Sequence, residues 1–256
     1  MKTQLAFIKK DLTEQLRSGK LAFMLIFFAA FGVMNPAIAK LTPWLLEIFA
    51  DSLAGNGITL TGVTVTAMDS WVQFFKNVPI ALIAFVLLEG SILTGEYASG
   101  TLLLSFTKGL ERFKVVISKT VILNTVWTVC YWLCFAITYC YNAYFWDNSV
   151  AVNLVFSVTC YWLFGLFVVM LITLFSVISA SSTGVFLGIG SIIVVSYAIG
   201  LIPRINKYLP TKLTDANSLI YGVADAGEYV ASLIITLVAC VICFAAAIPL
   251  FNKKQI

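Results

Sequence analysis

The chain has 256 residues, of which 61% are hydrophobic and only 11% are charged; its formal net charge is +4 and it has no histidine. Soluble domains carry about 25% charged residues, so this composition argues against a soluble protein and indicates an integral membrane protein. The missing histidine excludes a histidine-based catalytic triad. No basic stripe is present, and we expect no nucleic-acid partner.

The N-terminal segment, residues 1–20, is less apolar than the rest of the chain. Leu5, Ile8, Leu12 and Leu16 recur at helical spacing, with charged residues on the opposite side. We therefore predict an amphipathic interfacial helix over 1–20 that lies on the membrane surface. A plain soluble helix face and a flexible tail are the alternative interpretations.

The remaining sequence, residues 21–256, contains long apolar runs. About 20 apolar residues cross the hydrocarbon core as a helix, and the alternating pattern of membrane barrel strands is missing from the sequence. We predict an all-α integral membrane protein with six transmembrane helices. The predicted spans lie near residues 21–39, 78–94, 115–141, 149–179, 184–202 and 229–250.

Lysine and arginine indicate the orientation of these spans, because they favour the cytoplasmic side of a membrane. Six spans place residues 1–20, 95–119 and 252–256 on one side, and this side holds eleven of the sixteen Lys and Arg residues. The sequence therefore predicts a multi-pass protein of the plasma membrane with both termini in the cytoplasm.

The sequence offers little material for catalysis. It has no GxxxxGK[ST] motif, the loop with which many proteins bind ATP. Its six cysteines fall in apolar segments, and no cluster of carboxylates and cysteines has metal-ligand spacing outside the spans. We expect no catalytic residue, metal or cofactor in this chain, and hence no enzyme; if the protein uses energy, another chain supplies it.

Glu89 is a carboxylate inside a predicted span. A charge at the membrane centre costs about 2.5–3.5 kcal/mol and less near the interface, so Glu89 needs a partner. We predict a structural pair with Lys119 or Arg112. The alternative is a polar site within the membrane that serves coupling or substrate handling.

Aromatic residues are dense between residues 126 and 164. Tyrosine and tryptophan collect where helices meet lipid headgroups, so an interfacial belt joined to ordinary packing explains most of them. Tyr131 and Trp132 lie deeper than a belt requires, and we take them as candidates for lining an amphipathic substrate path.

The predicted cytoplasmic loop 95–114 reads GEYASGTLLLSFTKGLERFK and contains two acids, three bases and three glycines. Its glycines predict short helical pieces separated by turns. One interpretation is an interfacial connector whose bases touch lipid phosphates.

A second interpretation comes from a resemblance. The loop resembles the E-x-x-SGT-x-x-LL…K…R…K pattern that comes after the second span in type-2 permeases of ATP-binding-cassette (ABC) exporters. Residues 73–77 and Asp69-Ser70 are also similar to sequence before that span in bacterial members. Many members have proline and serine before the arginine, where this chain has residues 109–111. The matching residues are Glu96, Ser99-Gly100-Thr101, Leu104, Lys108, Glu111-Arg112 and Lys119.

The resemblance implies a short cytoplasmic coupling helix between spans two and three that docks on a separate ABC ATPase subunit. In this chain Glu96, Gly100 and Thr101 would shape the start of that helix. Leu104, Lys108 and Arg112 would meet or frame the ATPase, with Glu111 beside them.

The implied function is that of an exporter permease which pairs with a second copy or a related permease. Its cargo would be hydrophobic or amphipathic, with a peptide toxin or antimicrobial peptide favoured over antibiotics and lipids. An ATP-independent channel or scaffold is the alternative.

Overall fold

The structure is a computed structural model that describes residues 2–48, 64–107 and 111–254. Within these ranges all regular structure is helical, and no strand occurs. Short 3₁₀ turns lie at Asn148–Val150, Pro210–Thr214 and Ala226–Tyr229. The α-helices are α1 (Lys2–Arg17), α2 (Lys20–Ile48), α3 (Ala67–Glu89), α4 (Thr94–Ala98), α5 (Thr101–Thr107), α6 (Arg112–Phe145), α7 (Leu154–Ile178), α8 (Ser182–Gly200), α9 (Pro203–Asn206), α10 (Ala216–Ile220) and α11 (Val230–Lys253).

Six of these helices, α2, α3, α6, α7, α8 and α11, are long and apolar enough to cross a membrane. The prediction of an all-α protein with six spans is therefore confirmed. Some bounds differ from the predicted ones. Helix α2 continues to Ile48, and α3 begins at Ala67 rather than near residue 78, because Thr66 and Asp69 form a capping box at its start.

Helix α7 lies at the centre of the bundle. In its apolar stretch 67% of the residues are buried inside the protein, against 11% in α8 and in α11. Beside it, the Trp127 indole of α6 packs edge-on against Phe28 of α2 and Phe85 of α3, at ring-centroid distances of 6.0 and 5.5 Å. The core thus joins α2, α3, α6 and α7, while α8 and α11 keep broad apolar faces that no other described residue covers.

Three polar side chains connect α2, α3 and α6 within the apolar bundle. Asn77 donates to the Asn35 side-chain oxygen at 2.7 Å, and the Asn35 amide donates to Thr138 Oγ1 at 3.0 Å. Thr138 in turn donates to the carbonyl of Gly32 at 3.0 Å. Hydrogen bonds between membrane helices contribute modestly, about 0.6 kcal/mol on average, and here they fix which helix faces meet.

One end of the bundle, which we call the terminal face, holds α1, α4, α5, the start of α6 and the end of α11. In α1, Phe7, Asp11 and Gln15 are buried against the bundle, whereas Leu12 and Leu16 are 40% and 57% exposed. Of the predicted apolar side, Leu12 and Leu16 thus point away from the protein while Ile8 packs against the core, and the contact with the membrane surface stays a prediction.

The opposite end, the distal face, contains the short helices between α8 and α11. Asp215 accepts hydrogen bonds from Lys212 Nζ at 2.9 Å, Ser218 Oγ at 2.8 Å and Tyr229 Oη at 3.2 Å. Burial acts to raise the pKa of Asp215, but these bonds and the Lys212 charge outweigh it and lower the pKa below its ordinary value. An ionised Asp215 therefore holds this segment together.

Candidate functional site

The connection between α3 and α6 forms the candidate site, and it is built from short helices and turns. Helix α3 ends at Glu89, where the N–H of Gly90 still bonds the carbonyl of Val86 at 2.8 Å. After a turn come α4 and then α5, separated by Ser99 and Gly100. Gly100 has a φ of +68°, in the left-handed region that glycine adopts readily.

A buried ion cluster ties this connection to the spans. Lys119 Nζ of α6 lies 2.8 Å from Glu96 Oε1 of α4 and 2.9 Å from Asp11 Oδ2 of α1. Lys10 Nζ is more distant, at 3.7 Å from Glu96 and 3.8 Å from Asp11. Because Lys119 is only 3% exposed, its ammonium depends on the two carboxylates for the contacts that water would otherwise provide.

The environment of Asp11 opposes its ionisation. Burial raises the pKa of the Asp11 carboxyl above its ordinary value, and the Lys119 ammonium acts in the opposite direction. The cluster therefore joins α1, α4 and α6 most strongly when Asp11 is charged and Lys119 is in place.

Glu89 has a partner different from the predicted one. Gln15 Nε2 of α1 donates to Glu89 Oε2 at 2.7 Å, and Glu89 is fully buried. The predicted pair with Lys119 or Arg112 does not form among the described residues. Helix α3 stops at Glu89 and the chain turns, so Glu96 rather than Glu89 reaches Lys119.

Beneath the ion cluster lies an apolar cluster that brings α1, α4, α5, α6, α7 and α11 together. The Phe251 ring of α11 packs against Tyr97 and Phe106, with both ring-centroid distances at 6.3 Å. The buried members are Phe7, Leu93, Leu102, Val115, Val116, Val177, Ala247 and Phe251. A displacement of α4 or α5 must therefore disturb the ends of several spans.

Arg112 and Lys254 donate hydrogen bonds to backbone carbonyls at the ends of helices that form this apolar cluster. Arg112 Nη1 donates to the carbonyls of Asn252, at 3.3 Å, and Lys254. Lys254 Nζ donates to the carbonyls of Val177, at 2.7 Å, and Ser179, at 2.9 Å. Arg112 thus connects the start of α6 with the C-terminal end of α11, within this chain.

The residues singled out by the resemblance differ in where they lie. Glu96 is buried and Arg112 is half-buried, and both bond within the chain. Gly100, Thr101 and Glu111 are exposed on the terminal face. Leu104 lies in α5 with its side chain outside the described part, and Lys108 lies outside the described residues.

Tyr131 and Trp132, the candidates for a substrate path, differ in exposure. Tyr131 is 1% exposed, and its hydroxyl donates to the carbonyl of Val158 at 2.8 Å. Trp132 is half-buried and packs edge-on against Phe135 at 5.5 Å between ring centroids. In this conformation Tyr131 joins α6 to α7, and the predicted substrate path stays a prediction.

Two residues of the site, Asp11 and Gln15, were not predicted from the sequence. Both lie on the face of α1 marked by Phe7, at intervals of four residues. That interval indicates that these residues share a face of α1. It does not reveal that this face packs against the bundle with its polar side chains buried.

No protein-family model matches this sequence, and no curated protein matches it either. The resemblance to exporter permeases consequently depends on the residues of loop 95–114 and its surroundings. What the fold supplies independently is a six-span membrane protein with a tightly connected terminal face.

Proposed function

We propose that this protein is the transmembrane permease subunit of an ATP-driven exporter, powered by a separate ABC ATPase that docks on the connection between α3 and α6. It would act in the plasma membrane with both termini in the cytoplasm, paired with a second copy or a related permease. The chain itself would perform no covalent chemistry, and ATP and Mg would be held by the ATPase.

The observation that supports this proposal most is the buried Asp11–Lys119–Glu96 cluster. It links the short helix α4 to a span, α6, and to the surface helix α1, without solvent between the charges. Removing one member of a buried ion pair costs about 3–5 kcal/mol, so α4 resists moving independently. A push on the loop would then be passed to the spans.

The cargo is the finer part of the proposal. In addition to Glu89 near the end of α3, the spans carry polar groups that bond one another, such as Asn35, Asn77 and Thr138. The uncovered sides of α8 and α11 are apolar. These features favour a hydrophobic or amphipathic cargo. The resemblance to exporter permeases is what puts a peptide toxin or antimicrobial peptide ahead of antibiotics and lipids.

The test is whether an ATPase binds the loop. We would purify the tagged protein from native membranes, identify co-purifying P-loop ATPases by mass spectrometry, and measure ATP hydrolysis in the eluate. Lys108→Glu is expected to abolish both signals. Arg112 is a poorer target, because its guanidinium holds the C-terminal segment.

Lys253→Glu is the matched control, since Lys253 is an exposed lysine at the end of α11. It should retain the ATPase. If Lys108→Glu retained full ATP hydrolysis, the ATPase would have to dock outside this loop. Absence of any ATPase together with ion conductance in planar bilayers would instead favour the channel alternative.

A further inference from the structure

A cavity of about 500 Å³ lies at the terminal face between α1, α4 and the start of α6. Its walls include Asp11, Glu14, Gln15, Glu96 and Lys119. Acidic side chains on the surface alone do not make a site. Two further observations at this cavity, buried acceptors without donors and converging carboxylate oxygens, point to a ligand.

Two buried oxygens on the cavity wall lack hydrogen-bond donors. Gln15 is 6% exposed, and because its Nε2 donates to Glu89, its Oε1 is left as an acceptor without a partner. Glu96 is 8% exposed; Lys119 and Lys10 approach its Oε1, and its Oε2 accepts no bond. Buried acceptors are rarely left without a donor, a water or an ion.

Carboxylate oxygens of Asp11, Glu14 and Glu96 also converge. One oxygen from each lies within 4.8 Å of the other two. The distance from an ion placed between these oxygens to each of them would be close to the value of about 2.3–2.6 Å at which Ca²⁺ binds oxygen. The cavity also leaves space for the waters that Mg²⁺ retains. Residues so far apart in the sequence could not reveal this arrangement by spacing.

We propose that this cavity binds a hard divalent cation, Mg²⁺ or Ca²⁺, through carboxylate oxygens of Asp11, Glu14 and Glu96, with the amide oxygen of Gln15 as a further acceptor. Lys119 bonds one oxygen of Glu96 and leaves the other for the ion, so the ammonium and the cation share this carboxylate.

The oxygen acceptors favour a cation over an anion such as a lipid phosphate. The charges of the lining residues balance, with three acids and three bases, so the choice depends on the converging carboxylates and on the Gln15 amide oxygen that lacks a donor. The bases are Lys10, Lys20 and Lys119. A bound ion would bridge α1 and α4, and because every ligand comes from this chain, binding would not require an ATPase.

The test uses the purified chain alone, stripped with EDTA in detergent. MgCl₂ and CaCl₂ are titrated at constant ionic strength while the melting temperature is recorded, and bound Mn²⁺ is counted by the loss of its free electron paramagnetic resonance signal. We expect saturable stabilisation and binding of one ion per chain. Stabilisation matched by KCl, or no binding of any of the three ions, would overturn the site.

The variant Glu14→Gln tests whether the ion binds at this cavity. Glu14 is exposed and takes no part in the contacts of Lys119, so the fold should be retained. Loss of even an indirect metal partner weakens binding by about 10–100-fold, and removal of a direct ligand should do at least as much. Glu228→Gln, an exposed glutamate at the distal face, is expected to bind as the wild type does. Equal binding by both variants would place the ion elsewhere and overturn the proposal.

Discussion

Lys119 Nζ lies 2.8 Å from Glu96 Oε1, and this contact joins the third span to the short helix that comes after the second. The same ammonium reaches Asp11 of the N-terminal helix at 2.9 Å. One buried side chain therefore determines how three separate elements are placed at the terminal face.

We predict that Lys119→Met strongly destabilises the protein, because it leaves two buried carboxylates with only the more distant Lys10 as a counter-charge. Breaking a buried pair in this way costs about 3–5 kcal/mol. The loss should appear as a lower melting temperature in detergent, measured by size-exclusion chromatography after heating. Adding Asp11→Asn and Glu96→Gln should recover part of the loss, since neutral side chains need no counter-charge.

Lys114→Met is the matched control. Lys114 pairs with Glu111 at 2.8 Å, but the Glu111 side chain is 55% exposed, and exposed pairs contribute about 0.2–1 kcal/mol. Equal losses in the two lysine variants would mean that burial of the Lys119 cluster has no energetic importance.

Glu89 permits a test that separates a structural role from a role in transport. Glu89→Gln keeps an oxygen that accepts the bond from Gln15, whereas Glu89→Leu leaves that buried donor unpaired at a cost of about 1–3 kcal/mol. We expect near wild-type stability for the glutamine variant and a clear loss for the leucine variant. If Glu89→Gln stays stable and still stops ATP-dependent transport, the charge itself serves coupling.

Gly100 is expected to be required for its backbone conformation. No described atom lies within 4 Å of a Cβ added at Gly100, so the cost of Gly100→Ala comes from its φ of +68°, about 1–2 kcal/mol. Gly95→Ala is the control: its Cβ also meets nothing, and alanine favours the helix α4. Thermal melting should show a loss for Gly100→Ala, a smaller loss for Gly100→Asn and none for Gly95→Ala. Equal melting temperatures for the two alanine variants would refute the backbone argument.

The sequence predicted those parts of the fold that depend on long apolar runs. It could not locate the end of α3, because Ile92 and Leu93 extend the apolar run beyond Glu89, where the helix ends. This misplaced end is also the cause of the error over the partner of Glu89. The start of α3 was also missed: the span was predicted from near residue 78, whereas Thr66 and Asp69 cap a helix that begins at Ala67.

The candidate site was predictable only in part. The residues of loop 95–114 indicated a short helical connection, and the described portion contains α4 and α5. The ion cluster was not predictable, because Asp11, Glu96 and Lys119 are far apart along the chain and meet only after the spans pack. Charge counting also assigns Asp11 to a solvated or headgroup-facing helix, whereas docking buries it to 3% exposure.

The distal segment should weaken in acid. The pKa of Asp215 is lowered in the folded protein, so its ionised form adds stability above the unfolded pKa of about 3.9, and this stability is lost as the pH falls through the lower folded pKa. Melting temperatures from pH 7 to pH 3 should show a loss below about pH 4 that Asp215→Asn lacks. Asp225→Asn, which removes a carboxyl from the same segment, should keep the wild-type acid loss.

The proposed function depends on the orientation of the protein in the membrane, with loop 95–114 on the cytoplasmic side. In a Cys140→Ser background, which removes an exposed thiol, an impermeant maleimide should label Val223→Cys in intact cells, because Val223 is 82% exposed at the distal face. Glu111→Cys should be labelled only after permeabilisation. Eleven of sixteen bases lie on the side of Glu111, which favours the cytoplasm. The reverse pattern would put loop 95–114 outside the cell, where a cytoplasmic ATPase could not reach it.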